Sequence, residues 1–243
     1  MEATIEPEIE QRRKSVLGRR SLLSAAAKGP LPEVHLPFAL KLYSSKRFLD
    51  VMLAVPLLIL SLPLMFLCGI WIKLVSLGPV IYTQVRLGLK GKPYTIYKLR
   101  TMLVDCEKAT GPIWSPADDR RIIWGGQFLR RWHLDELPQL WNVIIGDMSL
   151  IGPRPERPEI ILELQKDIPE VTQRLAVRPG ITGLAQVTLP PDNTVLAFRR
   201  KTELDLQYIR EGCLDLDLQI LTWTFLKEMG LRQNWIYPRV QHG

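Results

Sequence analysis

The hydrophobic and polar positions change period several times along the chain, and each change predicts an element. From Val51 to Ile72 no residue is charged, a run of about 22 positions, long enough to cross the hydrocarbon of a bilayer as a helix. Pro56 and Ser61-Leu62-Pro63 fall inside it. Each proline removes a backbone hydrogen bond and crowds the preceding turn, so the pattern predicts a helix interrupted near its middle. Leu77-Gly78-Pro79 then turns the chain into a short strand, Val80 to Val85, and Gly88 to Pro93 reads as a hairpin turn into a second strand, Tyr94 to Arg100. Alternation sets Thr95, Tyr97 and Leu99 on one face of that strand and Ile96, Lys98 and Arg100 on the other. Leu137, Leu140, Trp141 and Ile144 recur at helical spacing, and Pro138 is tolerated only in a first turn, which predicts a helix from about Asp135. Pro158 to Gln165 predicts another, with Ile160, Ile161 and Leu164 on one face. Arg178 to Gly183 is a turn expected to feed a short strand through Gln186 and Val187. Phe198 to Glu211 and Leu214 to Met229 read as two helices broken at Gly212. The second gathers Leu214, Leu218, Leu221 and Phe225, widened by Trp223 and Leu226, a stripe that suits either a core or a membrane interface.

These elements add up to an α+β chain, mainly helical: a membrane helix, a short β-hairpin and interfacial amphipathic helices in one compact catalytic domain. The boundaries fall at 1–45, a polar, Ala/Ser-rich extension expected to be mobile; 46–76, the membrane helix; 77–230, the domain; and 231–243, a tail. The stretch from Asp105 to Gly126, with Trp114 and Trp124, is loop-rich and suggests no chemistry. The apolar run is flanked by Lys46 and Arg47 on one side and Lys73 on the other. Both flanks therefore ask to stay in the cytoplasm, and two readings remain: a kinked single-pass helix, or one that bends at Pro63 and leaves by the face it entered. A cleaved signal peptide is not expected, because the run starts some fifty residues in and no Ala-x-Ala-like site follows before Lys73.

Charge narrows the partners. The net +7 is carried by the middle of the chain, because residues 73–134 hold eleven basic and four acidic residues while the excesses before and after cancel. A basic block directly after a membrane segment attracts anionic lipid headgroups or phosphorylated substrates. Nucleic acid is not expected, since the basic residues are separated by apolar and turn residues and form no known nucleic-acid signature. Cys68, Cys106 and Cys213 are odd in number and far apart, offering neither a disulfide framework nor a zinc site, and His35, His133 and His242 are equally scattered. A carboxylate and phosphate site for magnesium remains open.

The carboxylates are Asp135 and Glu136, at the start of an apolar run and between Arg130-Arg131 and Gly152-Pro153-Arg154-Pro155. At a helix start the unpaired N–H groups and the dipole favour anions, so the pair suits a nucleophile that receives a phosphate. Asp135 could equally be a plain helix cap. Phosphoryl transfer needs positioning and neutralisation of charge on oxygen, which makes Lys98, Arg100, Arg130, Arg154 and Arg178 candidates to bind substrate. Arg154 stands out because the flanking prolines fix its backbone, whereas Arg178 before Pro179 also reads as a structural turn residue.

Taken in order, the motifs resemble the bacterial sugar transferases, the monotopic polyprenyl-phosphate phosphoglycosyl transferases, in their small form. The resemblance runs from about Lys46 to Gly230. It is carried by Lys46-Arg47-Phe48-Leu49-Asp50, the apolar helix broken at Pro63, Gly78-Pro79-Val80 with Gln84, Arg86 and Gly88, and Tyr97-Lys98-Leu99-Arg100-Thr101-Met102. It continues through Leu134-Asp135-Glu136-Leu137-Pro138-Gln139-Leu140, Asn142-Val143, Gly146-Asp147-Met148-Ser149, Gly152-Pro153-Arg154-Pro155, Arg178-Pro179-Gly180-Ile181-Thr182-Gly183, Ala185-Gln186-Val187 and Glu203-Leu204-Asp205 with Tyr208.

The resemblance implies that Asp135 attacks a phosphorus of a UDP-sugar and releases UMP, and that undecaprenyl phosphate then takes the sugar phosphate from the enzyme. It implies that Glu136 helps bind Mg, that Gln186 lies with the substrate contacts, and that Ser61 and Pro63 turn the membrane helix back so that both ends face the cytoplasm at the bacterial inner membrane. A homodimer is left open, as are the particular UDP-sugar and the polysaccharide or glycoconjugate produced. The chain departs from the family where His133 replaces a frequent Ser or Thr, Leu99 a Phe and Leu184 a Trp, and where Thr188-Leu189-Pro190-Pro191 replaces an Asn-Gly-Arg type of turn. Residues 1–45 lie outside the resemblance and are too few for the multi-span N-terminal domain of larger members. The alternative function is a membrane-anchored basic scaffold or binding protein without catalysis.

Overall fold

The computed structural model describes residues 45–106, 119–190 and 194–231, together with Val34, Leu36 and Tyr43. Most of the expected N-terminal extension, Trp114 and the tail after Leu231 lie outside the described residues.

The apolar run forms one helix, α1 (Lys46–Val75), continuous through Pro56 and Pro63. The expected interruption does not end the helix, although each proline still lacks an N–H to donate, and Ser61 donates its hydroxyl to the Leu58 carbonyl at 2.8 Å. Burial along α1 is confined to its ends: Asp50 and Ala54 at the start, Cys68 and Ile72 near the finish. Between them Leu57, Ile59, Leu60, Leu62, Leu64, Phe66 and Leu67 stand exposed. The two ends are tied to the same folded body. At the start, Arg47 donates to the carbonyls of Val143 and Ile144, while Asp50 accepts from the Ser149 hydroxyl at 2.9 Å and the Leu150 amide at 3.0 Å. At the finish, Cys68 and Ile72 pack with Leu99, Ile123 and Leu129, and Trp71 stacks on Trp124 with ring centroids 4.6 Å apart.

The hairpin forms as expected from the alternation and the glycine turn. Strand β1 (Ile81–Leu87) pairs antiparallel with β2 (Pro93–Leu99), Gln84 opposite Ile96. Next come α2 (Gly126–Arg131) and a single 3-10 turn, Leu134–Glu136, that holds the two carboxylates. Helix α3 (Gln139–Ile145) begins only after that turn, with Pro138 as its cap. The predicted start at Asp135 is thus four residues early, because Leu134, Leu137 and Leu140 are spaced by three and fit a 3-10 turn as well as an α-helix. Trp141, placed by the pattern in the apolar stripe, faces outward, and Asn142 is buried in its stead.

Strand β3 (Ser149–Ile151) lies parallel to β4 (Gly180–Thr182), bringing Gly152-Pro153-Arg154-Pro155 beside Arg178-Pro179-Gly180. The backbones touch: a Cβ on Gly152 would sit 2.5 Å from the Arg178 carbonyl oxygen, which explains glycine there. Helix α4 (Pro158–Leu164) matches expectation. After β4 the chain forms a short helix, α5 (Leu184–Thr188), so Gln186 is helical rather than in the predicted strand. Helices α6 (Val195–Glu211) and α7 (Leu214–Glu228) close the domain on either side of Gly212.

Of the two uses left open for the apolar stripe of helix α7, core packing is not the one observed at Leu214, Leu218 and Phe225, which are exposed, whereas Asp217 and Ile220 are buried. The inward polar groups all have partners: Asp217 accepts from Tyr43, Lys46 and Tyr208 at 2.6–2.8 Å, and the Thr224 hydroxyl pairs with that of Thr182 at 2.7 Å. On α6, Asp205 accepts from Arg174 at 2.6 Å with both side chains buried. Asp205→Ala strands a buried guanidinium and is expected to cost about 3–5 kcal/mol, read as a lowered midpoint in denaturant unfolding.

Candidate active site

The dyad turn is built by an unusual entry. His133 precedes it in the left-handed region at φ 50° and makes no side-chain cap, and the carboxylates follow in a single tight turn. Both are buried yet differently used. Glu136 accepts from Lys98 of β2 at 2.7 Å and from Arg154 at 2.6 Å, both on its Oε1, so one oxygen receives two cations from two different segments. Asp135 accepts no hydrogen bond and makes no ion pair among the described residues, although it is only 8% exposed. An unpaired carboxylate beside one whose Oε1 is clamped by two cations is the arrangement expected of a nucleophile next to a charge-organising partner.

Their electrostatics diverge accordingly. Burial raises the Asp135 carboxyl above its ordinary value and the neighbouring Glu136 charge adds to this, while Lys98, Arg130 and His133 pull it back. Burial also pushes Glu136 up, but Arg154 and Lys98 together outweigh it and hold Glu136 well below the usual carboxylate range. Lys98 is drawn below its ordinary value by burial, with Glu136 opposing. Environment has separated two adjacent carboxylates, one raised above its ordinary value and one held well below it.

Three of the five cations proposed from sequence meet here: Lys98 and Arg154 on Glu136, and Arg130 within electrostatic reach of Asp135 while its Nε donates to the Thr101 hydroxyl at 2.9 Å. Arg100 does not. Strand β2 stops at Leu99, and the Arg100 guanidinium is spent on Ser76 Oγ, the Ser76 carbonyl and the Leu77 carbonyl, fastening the end of α1. Arg178 donates from Nε to the Gly146 carbonyl at 2.9 Å, a contact that fits the structural turn role. Gln186 is likewise engaged locally: its Nε2 points to the Ile181 carbonyl at 3.4 Å and its buried Oε1 lies against Gly183.

Three residues at this site carried no functional assignment from sequence. Arg174 donates to the Arg154 carbonyl at 3.2 Å, and Arg86 to the Pro155 carbonyl at 3.0 Å, so two guanidinia hold the backbone that presents Arg154. Asn142 bonds the edge of β2. A polar residue inside an apolar helical run was the available signal for Asn142; nothing in the sequence singled out Arg174.

The donor set for a metal is small. Among the described residues no His, Cys, Asp or Glu joins the dyad to make a group of three. Two adjacent carboxylates nonetheless suit magnesium, which takes one or two protein carboxylates and completes its shell with substrate phosphate and water.

Comparison with known proteins fits this site. The chain matches the bacterial sugar transferase family over residues 41–230, most of its length. It is 42% identical to the UDP-glucose:undecaprenyl-phosphate glucose-1-phosphate transferase of Caulobacter vibrioides, over 84% of this chain and 74% of that one. The enzyme of the same name from Xanthomonas campestris is 38% identical, over 76% of this chain and 39% of that one. The UDP-N-acetylgalactosamine-undecaprenyl-phosphate N-acetylgalactosaminephosphotransferase of Aeromonas hydrophila is 40% identical, over 72% and 41%. The chain thus spans about three quarters of the Caulobacter relative and about two fifths of the other two. It belongs to the bacterial sugar transferase family, and is an enzyme, a phosphoglycosyl transferase with a membrane-associated helix.

Proposed function

We propose that this chain transfers a sugar phosphate from a UDP-sugar to undecaprenyl phosphate by way of a covalent intermediate on Asp135. The observation that carries the reading is the unpaired Asp135 carboxylate beside a Glu136 clamped by Lys98 and Arg154. An Asp135 oxygen attacks the phosphorus that bears the sugar. The bond from that phosphorus to the bridging oxygen breaks and UMP leaves with the electron pair. An oxygen of undecaprenyl phosphate then attacks the same phosphorus, giving undecaprenyl-diphospho-sugar and restoring the carboxylate. Lys98, Arg130 and Arg154 hold the phosphate oxygens as their charge shifts. Glu136 would hold magnesium, which supplies further neutralisation of the diphosphate when bound. Purified protein given a UDP-sugar without lipid should release UMP once per chain and gain the mass of a sugar phosphate, and a panel of UDP-sugars identifies the donor. Failure to release UMP from any of them refutes the reading. The relatives above are named for two different sugars, so the donor is left to that panel.

The membrane reading rests on the burial pattern of α1. A helix crossing the bilayer carries its two ends to opposite faces, but here both ends are fastened to one domain while the apolar middle is bare. That favours a helix that enters and returns on the cytoplasmic side. Exposed Trp124, Phe128, Trp132 and Trp141 add the aromatic surface expected at a lipid interface. In a cysteine-free background, Phe48→Cys and Lys73→Cys are expected to label from the same side of sealed vesicles, and labelling from opposite sides refutes re-entry. Pro63→Leu together with Pro56→Leu restores backbone bonding and is expected to shift labelling toward opposite sides.

A further inference from the structure

We propose that Asn142 is a positioning residue that sets Lys98 against Glu136. Asn142 is fully buried and its amide is used on both atoms: Oδ1 accepts from the Tyr97 amide at 3.1 Å and Nδ2 donates to the Thr95 carbonyl at 2.8 Å. These are the backbone groups flanking Ile96, on the edge of β2 that β1 leaves open. One side chain therefore takes the place of a neighbouring strand for that edge.

The location gives this a functional meaning. Asn142 sits in α3, six residues after Glu136, and its amide grips the residue before Lys98. Helix and strand are joined by a rigid planar group at the point where the strand delivers a long, flexible side chain to the dyad. The Asn142 carbonyl also accepts the amides of Gly146, Asp147 and Met148, which fixes the asparagine in its own turn. Lys98 has four rotatable bonds and cannot fix its own reach. Its 2.7 Å approach to Glu136 is inherited from the backbone, and the backbone is held by Asn142.

This rests on the reading of the dyad given above, and its test separates the two. In Asn142→Ala, kcat/KM for UMP release is expected to fall about tenfold to a hundredfold, the cost of misplacing a binding group by about 1 Å. If Asn142 acts through Lys98, the double variant with Lys98→Met is no slower than Lys98→Met alone, because the group being positioned is already gone. A general structural role predicts losses that multiply, and that result overturns the proposal, as does a wild-type rate in Asn142→Ala. Should Asn142→Ala fail to fold, Asn142→Asp, which keeps the size and the acceptor for Tyr97, carries the same comparison. If the wild-type protein releases no UMP, the reading of the dyad falls, and the strut is judged from a crystal structure of the variant: a lengthened Lys98–Glu136 separation supports it and an unchanged one overturns it.

Discussion

Asp135→Asn is expected to abolish UMP release, by at least about a thousandfold, in a protein that unfolds at the wild-type temperature. The two halves of that expectation come from one observation. Asp135 accepts no hydrogen bond and pairs with no cation among the described residues, so replacing an oxygen by an amide breaks no contact that supports the fold. Its carboxyl is raised by burial and by Glu136, so removing the charge relieves a penalty. What is lost is the oxygen anion that attacks phosphorus. Intact mass spectrometry should show a sugar phosphate on the wild-type chain and none on the variant. An adduct that persists in Asp135→Asn, or maps to another residue, excludes Asp135 as nucleophile, and full turnover removes it from the chemistry altogether.

Glu136→Gln is expected to lower kcat/KM by about a hundredfold or more, and to move the pH profile in a set direction. Asp135 reacts as the anion, so activity is present above its pKa and lost as pH falls through it; because that pKa is raised, the acid limb lies above the ordinary aspartate range. Glu136 is one of the groups raising it. Neutralising Glu136 therefore shifts the acid limb of the residual activity to lower pH, whereas Lys98→Met, which removes a cation that lowers it, shifts the limb to higher pH. Opposite displacements in the two variants are the diagnostic result. Displacement in a common direction excludes Asp135 as the group responsible for the limb.

Much of this layout is legible in the residue pattern, and the misreadings have specific causes. The hairpin is readable because alternation and a glycine turn are local signals. The dyad is readable as chemistry but not as geometry: leucines spaced by three allow either helix type, and only the backbone shows that a 3-10 turn, entered through a left-handed His133, comes first. Flanking prolines let the sequence set Arg154 above Arg178, but it could not place Arg100, because a guanidinium spent on loop carbonyls looks identical to one that reaches the site. Arg100 and Arg178 are of the first kind, whereas Lys98 and Arg154 reach the dyad. Helix α7 could not be resolved from its pattern alone, since an apolar stripe suits a core or an interface, and the inward Asp217 is polar and held by partners from distant segments.

Asp217 carries one more consequence. The Tyr43 hydroxyl and the Lys46 ammonium, at the head of α1, and the Tyr208 hydroxyl of α6 all end on this one buried carboxylate of α7. A truncation that removes α1 to obtain a detergent-free catalytic fragment would leave that anion facing an emptied seat, beside the vacated contacts of Ser149 and Leu150. The anchor is a structural part of the enzyme rather than a detachable tether, and soluble versions have to be sought by re-surfacing the middle of α1 while keeping its two ends.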